Sequence, residues 1–212
     1  VAKEMGKPVW EATLECLAAV RALDLLLDSA EELLSERPHP SGTGMLRRRP
    51  VGVASVITPY PYPVYGALQL LLPVLLAGNS IVWNPSSKIP LISQKIAEVF
   101  DSARLPPGTF SMVQGPGNPI GRALASHPGV DRVVAAGSAL TAEAIRSGGE
   151  AHLDPWVQSG GKGWAFVCED ADLDRAAYDI VTGAFLTCGQ RANATSRVLV
   201  ERRIAPAFLK RV

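Results

Sequence analysis

The sequence has almost no excess of charge of either sign. Its 212 residues include 21 lysines and arginines against 20 aspartates and glutamates, a formal net charge of +1. Binding to nucleic acid or to an anionic membrane surface usually requires a large positive excess, so neither partner is predicted. The basic cluster at 47–49 precedes Pro50 and a strand-like stretch, and we interpret it as a solvated edge.

Cysteine is scarce and follows no recognisable pattern. Cys16, Cys168 and Cys188 are odd in number, widely spaced and outside any Cys-x-x-Cys motif. This arrangement argues against a disulfide framework and against a structural metal site. We therefore expect a cytoplasmic protein without a bound metal.

No apolar run is long enough for a membrane span. The longest, residues 64–78, is interrupted by Gln69 and Pro73, whereas a transmembrane helix needs about 20 mainly apolar residues. A buried helix is predicted there instead. The chain begins at Val1 on a helix-like segment and stops at Val212 inside another, so we expect a fragment cut at both ends.

The sequence does contain a regular alternation of strand-like and helix-like segments. Residues 11–36 predict a long amphipathic helix that ends before Pro38. The leucines at near-helical spacing in it are Leu14, Leu17, Leu25 and Leu33. Predicted strands then follow at 51–59, 79–85, 109–115 and 131–137, with predicted helices at 64–77, 90–104, 119–126 and 139–147. Such alternation builds a parallel sheet covered by helices on both faces, so the predicted fold class is α/β, a Rossmann-like doubly wound sheet.

The pattern changes near residue 150. A strand predicted at 164–168 leads into a helix that Asp172 and Asp174 introduce. We interpret these aspartates as helix-capping residues rather than metal ligands. The predicted domains are 1–150, a cofactor-type domain that includes a strand region at 45–57, and 151–212, the start of a second α/β domain.

Eight stretches, in order along the chain, resemble the NAD(P)-dependent aldehyde dehydrogenase superfamily. They are "KEMGKPVWEA", "RRRPVGVASVITP", "LPVLLAGNSIVWNPSS", "LPPGTFSMVQGPG", "AGS", "SGGK", "EDADLD" and "GQRANATSR". The first and the last are most similar to the succinylglutamate-semialdehyde dehydrogenase type. The resemblance implies a Rossmann-like cofactor domain, the beginning of a catalytic domain, NAD or NADP as cofactor, and a strand region at 45–57 that lies near the oligomerisation hairpin.

The resemblance also implies where the catalytic groups should stand, and this sequence has other residues there. In the family a cysteine thiolate attacks the aldehyde, an oxyanion hole holds the adduct, hydride passes to the nicotinamide and a glutamate activates water. The nucleophile position holds Ala192, the base position Gln158 and the oxyanion-asparagine position Pro61. Proline offers neither a side-chain donor nor a backbone N–H. The resemblance therefore implies a member without an intact catalytic residue.

The cofactor positions differ as well. The family's ribose-binding lysine and glutamate correspond to Asn84 and Ser87. Gly137 and Ser138 remain at the start of a helix, where backbone N–H groups could bind a pyrophosphate. Ala142 replaces a family glycine and would crowd that approach. In the alternative interpretation, Gly137 only makes the turn from strand to helix.

Cys188 is the thiol closest in sequence to the vacant nucleophile position. It lies four residues before Ala192, and no histidine or lysine is adjacent to activate it. We expect a buried structural cysteine that does not replace the nucleophile.

Three functions are compatible with these residues. The first is a structural or regulatory pseudoenzyme, or a vestigial domain, that forms a homo-oligomer or docks onto an active aldehyde dehydrogenase-type partner. The second is a nucleotide-binding sensor that uses Gly137 and Ser138 without turnover. The third is an active NAD(P)-dependent aldehyde dehydrogenase, which requires that Ala192 is not the nucleophile position.

Overall fold

The N-terminal part of the chain is helical. The computed structural model describes residues 1–148 and 155–212. Helix α1 (Ala2–Met5) precedes the long helix α2 (Val9–Leu34), and a small antiparallel pair, β1 (Arg37–Pro38) and β2 (Met45–Leu46), follows. The predicted long helix is confirmed. Among the described residues, no helix is long and apolar enough to cross a membrane.

The predicted alternation of strands and helices forms one parallel sheet. Its strands are β3 (Val53–Thr58), β4 (Ser80–Pro85), β5 (Phe110–Met112), β6 (Arg132–Gly137) and β7 (Trp156–Ser159). Their spatial order is β5-β4-β3-β6-β7, and all pairs are parallel. The helices between them are α3 (Tyr65–Leu76), α4 (Pro90–Ser102), α5 (Arg122–Ala125) and α6 (Ala139–Gly148), with an irregular turn, Gly117–Gly121, before α5. The predicted α/β class is confirmed.

Each face of this sheet packs into its own apolar core. Successive strand residues point to opposite faces, so Val56 and Ile57 of β3 belong to different clusters. Val56 packs with Leu71 of α3 and Ile96 of α4. Ile57 packs with Ile145 of α6 on the other face. Helices cover both faces, as the alternation predicts.

Strand β7 was not predicted, and it lies at the edge of the sheet beside β6. The predicted boundary at 150 lies outside the described residues. Beyond that gap β7 pairs with β6, with Gln158 opposite Ala136. Residues 156–159 therefore belong to the same sheet as β3–β6, and the division into domains near residue 150 stays a prediction.

A second, smaller sheet follows. Its parallel strands are β8 (Gly163–Val167) and β9 (Thr195–Val200), connected by helix α7 (Leu173–Phe185) and a tight turn, Leu186–Gly189. A short helix, α8 (Ala205–Phe208), follows β9. The predicted capping role of Asp172 is confirmed, because its Oδ1 accepts hydrogen bonds of 3.0 Å from the backbone N–H groups of Asp174 and Arg175.

The leucine pattern of helix α2 predicts that its leucines are buried, but the structure buries a different face of the helix. Leu14, Leu17 and Leu25 are 54%, 61% and 67% exposed. The buried residues of the helix are Glu11, Ala12, Glu15 and Ala19. The two carboxylates are buried because each accepts hydrogen bonds from backbone N–H groups elsewhere in the fold.

Candidate functional site

The carboxyl ends of β3, β6 and β7 lie side by side and border a cleft of about 440 Å³. Pro61 comes from the loop after β3, Gly137 from the end of β6, Gln158 from β7 and Ala192 from the loop before β9. Ligands of open parallel sheets bind at this edge. The fold thus brings four of the sequence-predicted site residues into one cleft.

The turn at 59–63 is held in an uncommon backbone conformation. Tyr62 has φ of +49°, in the left-handed region that non-glycine residues seldom adopt. Its carbonyl accepts a 2.7 Å hydrogen bond from the N–H of Gly66. Its ring lies edge-on to that of Tyr65, with 6.4 Å between the centroids. Both rings line the cleft beside Pro61.

A buried ion pair supports this turn from the N-terminal segment. Lys7 Nζ lies 2.6 Å from Glu15 Oε2, and the two side chains are 0% and 1% exposed. Glu15 Oε1 accepts a 2.8 Å hydrogen bond from the N–H of Val64, at the start of α3. Lys7 Nζ also lies 4.4 Å from the centroid of the Tyr62 ring, a cation–π contact. The Lys7–Glu15 pair therefore supports the wall of the cleft that Tyr62 forms.

Sequence reasoning missed this pair. Lys7 and Glu15 are eight residues apart, with the helix break at Pro8 between them, so no periodic pattern connects them. The stretch "KEMGKPVWEA" contains Lys7 but ends before Glu15, and it indicates no role for Lys7. The aromatic wall of Tyr62 and Tyr65 was likewise missed.

The loop that carries Ala192 is also anchored to the N-terminal segment. The N–H of Thr187 donates to Glu11 Oε2 at 2.7 Å, and Gln190 Nε2 donates to the carbonyl of Met5 at 2.8 Å. Thr187 and Cys188 both have φ of +55°, so two successive residues occupy the left-handed region. Ala192 itself is exposed. The shape of the loop is therefore specified without any group at position 192.

Cys188 is exposed, and the prediction of a buried cysteine is wrong. The left-handed backbone at 187 and 188 turns the Cys188 side chain outward while Thr187 is buried. The thiol donates a weak hydrogen bond to the carbonyl of Gly6, with 3.3 Å between Sγ and O. Cys188 is not one of the described residues that line the cleft with Ala192.

The two positions at which the resemblance implies ribose contacts have unlike environments. Asn84 is 2% exposed, and its Nδ2 donates to the carbonyls of Val113 at 2.9 Å and Gly115 at 3.3 Å. The amide thereby ties β4 to the segment after β5. Ser87 is exposed in the turn that follows β4. Neither position presents a charge to a ligand.

Gly137 and Ser138 lie at the junction of β6 and α6. Ser138 Oγ accepts from the N–H of Thr141 at 3.2 Å and lies 3.0 Å from Thr141 Oγ1. A Cβ at Gly137 would lie 3.1 Å from Thr141 Cβ, so this close approach favours glycine. Ala142, four residues after Ser138, is 1% exposed and packs into the interior. Ser138 therefore acts as a helix cap, whatever else it binds.

A second cleft of about 400 Å³ lies between the Gly117–Gly121 turn and α6. Ile57, Leu140 and Ile145 give it apolar walls, and Arg122 also lines it. Its size and walls fit a planar heterocycle such as the base of a nucleotide. At Asn84, where the resemblance implies a ribose contact, the side-chain amide already donates to two backbone carbonyls, so this residue fits a nucleotide less well than the apolar cleft does.

Comparison with known proteins identifies relatives for the entire chain. The model of the aldehyde dehydrogenase family matches residues 1–212. An N-succinylglutamate 5-semialdehyde dehydrogenase of Sphingopyxis alaskensis is 33% identical over 217 residues, which cover 100% of this chain and 45% of that protein. This relative confirms the resemblance seen in the sequence.

Solved structures share the same fold. The NADP-dependent glyceraldehyde-3-phosphate dehydrogenase of Bacillus halodurans C-125, complexed with NADP, has a TM-score of 0.89 and 32% identity, over 99% of this chain and 46% of its own. Proline utilization A with proline bound in remote sites has a TM-score of 0.90 and 29% identity, over 100% of this chain and 22% of its own. The chain spans less than half the length of each of these relatives.

Proposed function

This chain belongs to the aldehyde dehydrogenase family, and we propose that it keeps the family fold but not the family reaction. The observation that carries the proposal is the cleft at the carboxyl edge of the sheet, where Pro61, Gln158 and Ala192 meet. These are the positions at which the family resemblance expects an oxyanion donor, a base and a nucleophile. Pro61 has no side-chain donor, Gln158 has no basic group and Ala192 has no nucleophile.

The chemistry of the lining supports this proposal. No thiol, carboxylate, imidazole or amine belongs to the described residues that line the cleft. Ser159 does line it, but a serine hydroxyl is a weak nucleophile without an adjacent base. Removing an activated nucleophile costs about a million-fold in turnover. The exposed thiol of Cys188 does not compensate, because it lies outside the lining and donates to the carbonyl of Gly6.

The remaining role is structural or regulatory. We propose that the chain forms a homo-oligomer or docks onto an active aldehyde dehydrogenase-type partner. The intact buried contacts support such a role, since Lys7, Glu11 and Glu15 still join the N-terminal segment to both cleft-forming loops. A cytoplasmic setting remains our prediction from the cysteine pattern.

A second candidate function is nucleotide binding without turnover. The apolar cleft beside α6 favours it, because Ile57, Leu140 and Ile145 would hold a base near Gly137 and Ser138. A bound NAD or NADP would supply the hydride acceptor of the family reaction. Without the ribose contacts we expect weak binding. Calorimetry with millimolar NAD, NADH, NADP and NADPH tests this, and the absence of heat with all four removes the candidate.

Turnover with a panel of aldehydes and either NAD or NADP tests the main proposal. We expect reduced-cofactor formation indistinguishable from that of a blank without protein. The matched variant is Cys188→Ala, since Cys188 is the thiol closest in sequence to Ala192. Aldehyde oxidation above the blank that Cys188→Ala abolishes would overturn the proposal and favour an active dehydrogenase.

A further inference from the structure

A third cleft, of about 480 Å³, lies beside β5, the edge strand of the parallel sheet. Its walls are the C-terminal part of α4, the loop that follows α4, and β5 itself. None of the residues that line it belongs to the cleft with Ala192 or to the cleft beside α6. Because all strands of the sheet are parallel, the loop that enters β5 lies at the amino edge, opposite the cleft with Ala192.

The floor of this third cleft is aromatic and rigidly placed. Phe100 of α4 stacks on Phe110 of β5, with 4.2 Å between the ring centroids and 19° between the ring planes. Phe100 is 9% exposed, and both rings pack into the apolar core on that face of the sheet. Leu105, Pro106 and Pro107 of the loop add further apolar surface. A ligand that packs there would order little of the protein, which favours binding.

The formal charges that line the third cleft are all negative. Glu98 and Asp101 belong to the lining, and no lysine, arginine or histidine does among the residues that the structure describes. Glu98 is already paired with Lys95, with 2.6 Å between Oε2 and Nζ. The Asp101 carboxylate forms neither a hydrogen bond nor an ion pair with any described residue. One uncompensated carboxylate therefore lies beside an apolar floor.

This distribution of charge selects the kind of ligand. An anion would meet Glu98 and Asp101 without a cationic partner in the lining. A metal ion needs several ligands close together, and within residues 1–148 and 155–212 no group of three or more His, Cys, Asp or Glu could hold one. An organic ammonium ion needs only one carboxylate, and it can bury its apolar part against the phenyl rings.

We propose that the third cleft reversibly binds a small organic cation, a primary ammonium group on a short apolar or aromatic body. The ammonium group pairs with the Asp101 carboxylate, and the body packs on Phe110 and Leu105. No bond is made or broken in the complex. The proposal does not rest on the loss of catalysis, because this cleft shares no lining residue with the cleft that contains Ala192.

Benzylammonium and benzyl alcohol form the matched probe pair, because they have nearly the same shape and differ in charge. Titration of the isotope-labelled chain, followed by NMR chemical shifts, measures affinity and location together. We expect benzylammonium to bind with a Kd on the order of millimolar and to shift the signals of Asp101, Leu105 and Phe110. Absence of benzylammonium binding, or shifts confined to either of the other two clefts, would overturn the proposal.

The difference between the two probes measures the contribution of charge. Asp101 is exposed, and an exposed ion pair contributes little, so benzylammonium should bind about threefold more tightly than benzyl alcohol at low salt. The difference should disappear at about 1 M sodium chloride, where charges are screened within about 3 Å. Equal affinities of the two probes at low salt would overturn the proposed ammonium contact.

A pair of aspartate variants locates that contact. Asp101→Asn removes the charge at the same shape, so it should weaken benzylammonium about threefold and leave benzyl alcohol unchanged. Asp28→Asn, at an exposed position of α2 outside this cleft, should change neither Kd. Equal effects of the two variants on benzylammonium would contradict the assignment to Asp101, and a circular dichroism spectrum confirms that each variant is folded.

Discussion

Lys7 and Glu15 form an ion pair shielded from solvent, with 2.6 Å between Nζ and Oε2. The same carboxylate accepts from the N–H of Val64, and the ammonium packs on the ring of Tyr62. Residues at the start of the chain thereby hold the turn that carries Pro61. Removing one partner of such a pair strongly destabilises the fold, because the other charge then remains buried without a partner.

Glu15→Ala should lower the free energy of unfolding by about 3–5 kcal/mol, because it leaves the Lys7 ammonium buried without a partner. Urea denaturation followed by circular dichroism measures the change. The double variant Lys7→Met with Glu15→Ala should recover part of the loss, since no charge is then buried. The control is Glu32→Ala, at an exposed position of the same helix, with an expected change below about 0.5 kcal/mol. Equal losses for Glu15→Ala and Glu32→Ala would contradict the buried pair.

Glu11→Ala should loosen the loop that leads to Ala192. The N–H of Thr187, which is 5% exposed, donates to Glu11 Oε2 at 2.7 Å. Loss of the acceptor for a buried N–H costs about 1–3 kcal/mol, so the Thr187 amide should exchange with deuterium about tenfold faster or more.

Glu31→Ala provides the comparison for this exchange measurement, because Glu31 is exposed on α2 and should leave the Thr187 amide unchanged. An exchange rate at Thr187 that does not respond to Glu11→Ala would show that another contact holds the loop.

The parallel sheet could be predicted because its strands are short apolar runs separated by helical patterns. β3 and β6 are rich in valine and alanine and end at turn residues, so their bounds were predicted within two residues. The Asp172 cap was predictable for a similar reason, since the interaction is local. Local signals of this kind do not depend on distant parts of the chain.

The missed features all depend on distant contacts. β7 is four residues long and is a strand because β6 lies beside it. Glu11 and Glu15 are buried because backbone donors from Thr187 and Val64 meet them, 176 and 49 residues away in sequence. Hydrophobic periodicity contains no information about such partners, so it assigned the wrong face of α2 to the interior.

Asn84→Lys, which introduces the cation that the family resemblance implies at this position, should destabilise the protein. The Asn84 side chain is 2% exposed and donates to the carbonyls of Val113 and Gly115. A lysine there leaves these acceptors poorly matched and buries a charge, so we expect a loss of about 1–3 kcal/mol in chemical denaturation. Ser87→Glu, at the exposed partner position, should change stability by less than about 0.5 kcal/mol. A stable Asn84→Lys variant would contradict a structural role for Asn84.

Restoring two catalytic groups should not restore catalysis. Ala192→Cys with Gln158→Glu returns a thiol and a carboxylate to the cleft, but Pro61 still provides no oxyanion donor, a loss worth about a hundred- to a thousand-fold. We expect esterase activity on 4-nitrophenyl acetate no higher than that of Ser196→Cys, which places a thiol at an exposed position of β9. Activity well above that control would mean that the cleft is still arranged for the family reaction.

The most direct test of the proposed loss of catalysis is a single-turnover measurement. The chain, in excess over an aldehyde and in the presence of saturating NAD or NADP, is mixed rapidly while reduced-cofactor fluorescence is recorded. Hydride transfer requires the nucleophile and the oxyanion donor but not the water-activating base, so this experiment tests positions 192 and 61 independently of Gln158. We expect no burst of reduced cofactor with either nucleotide. A burst proportional to the aldehyde added would contradict the proposal that this member of the family has lost its chemistry.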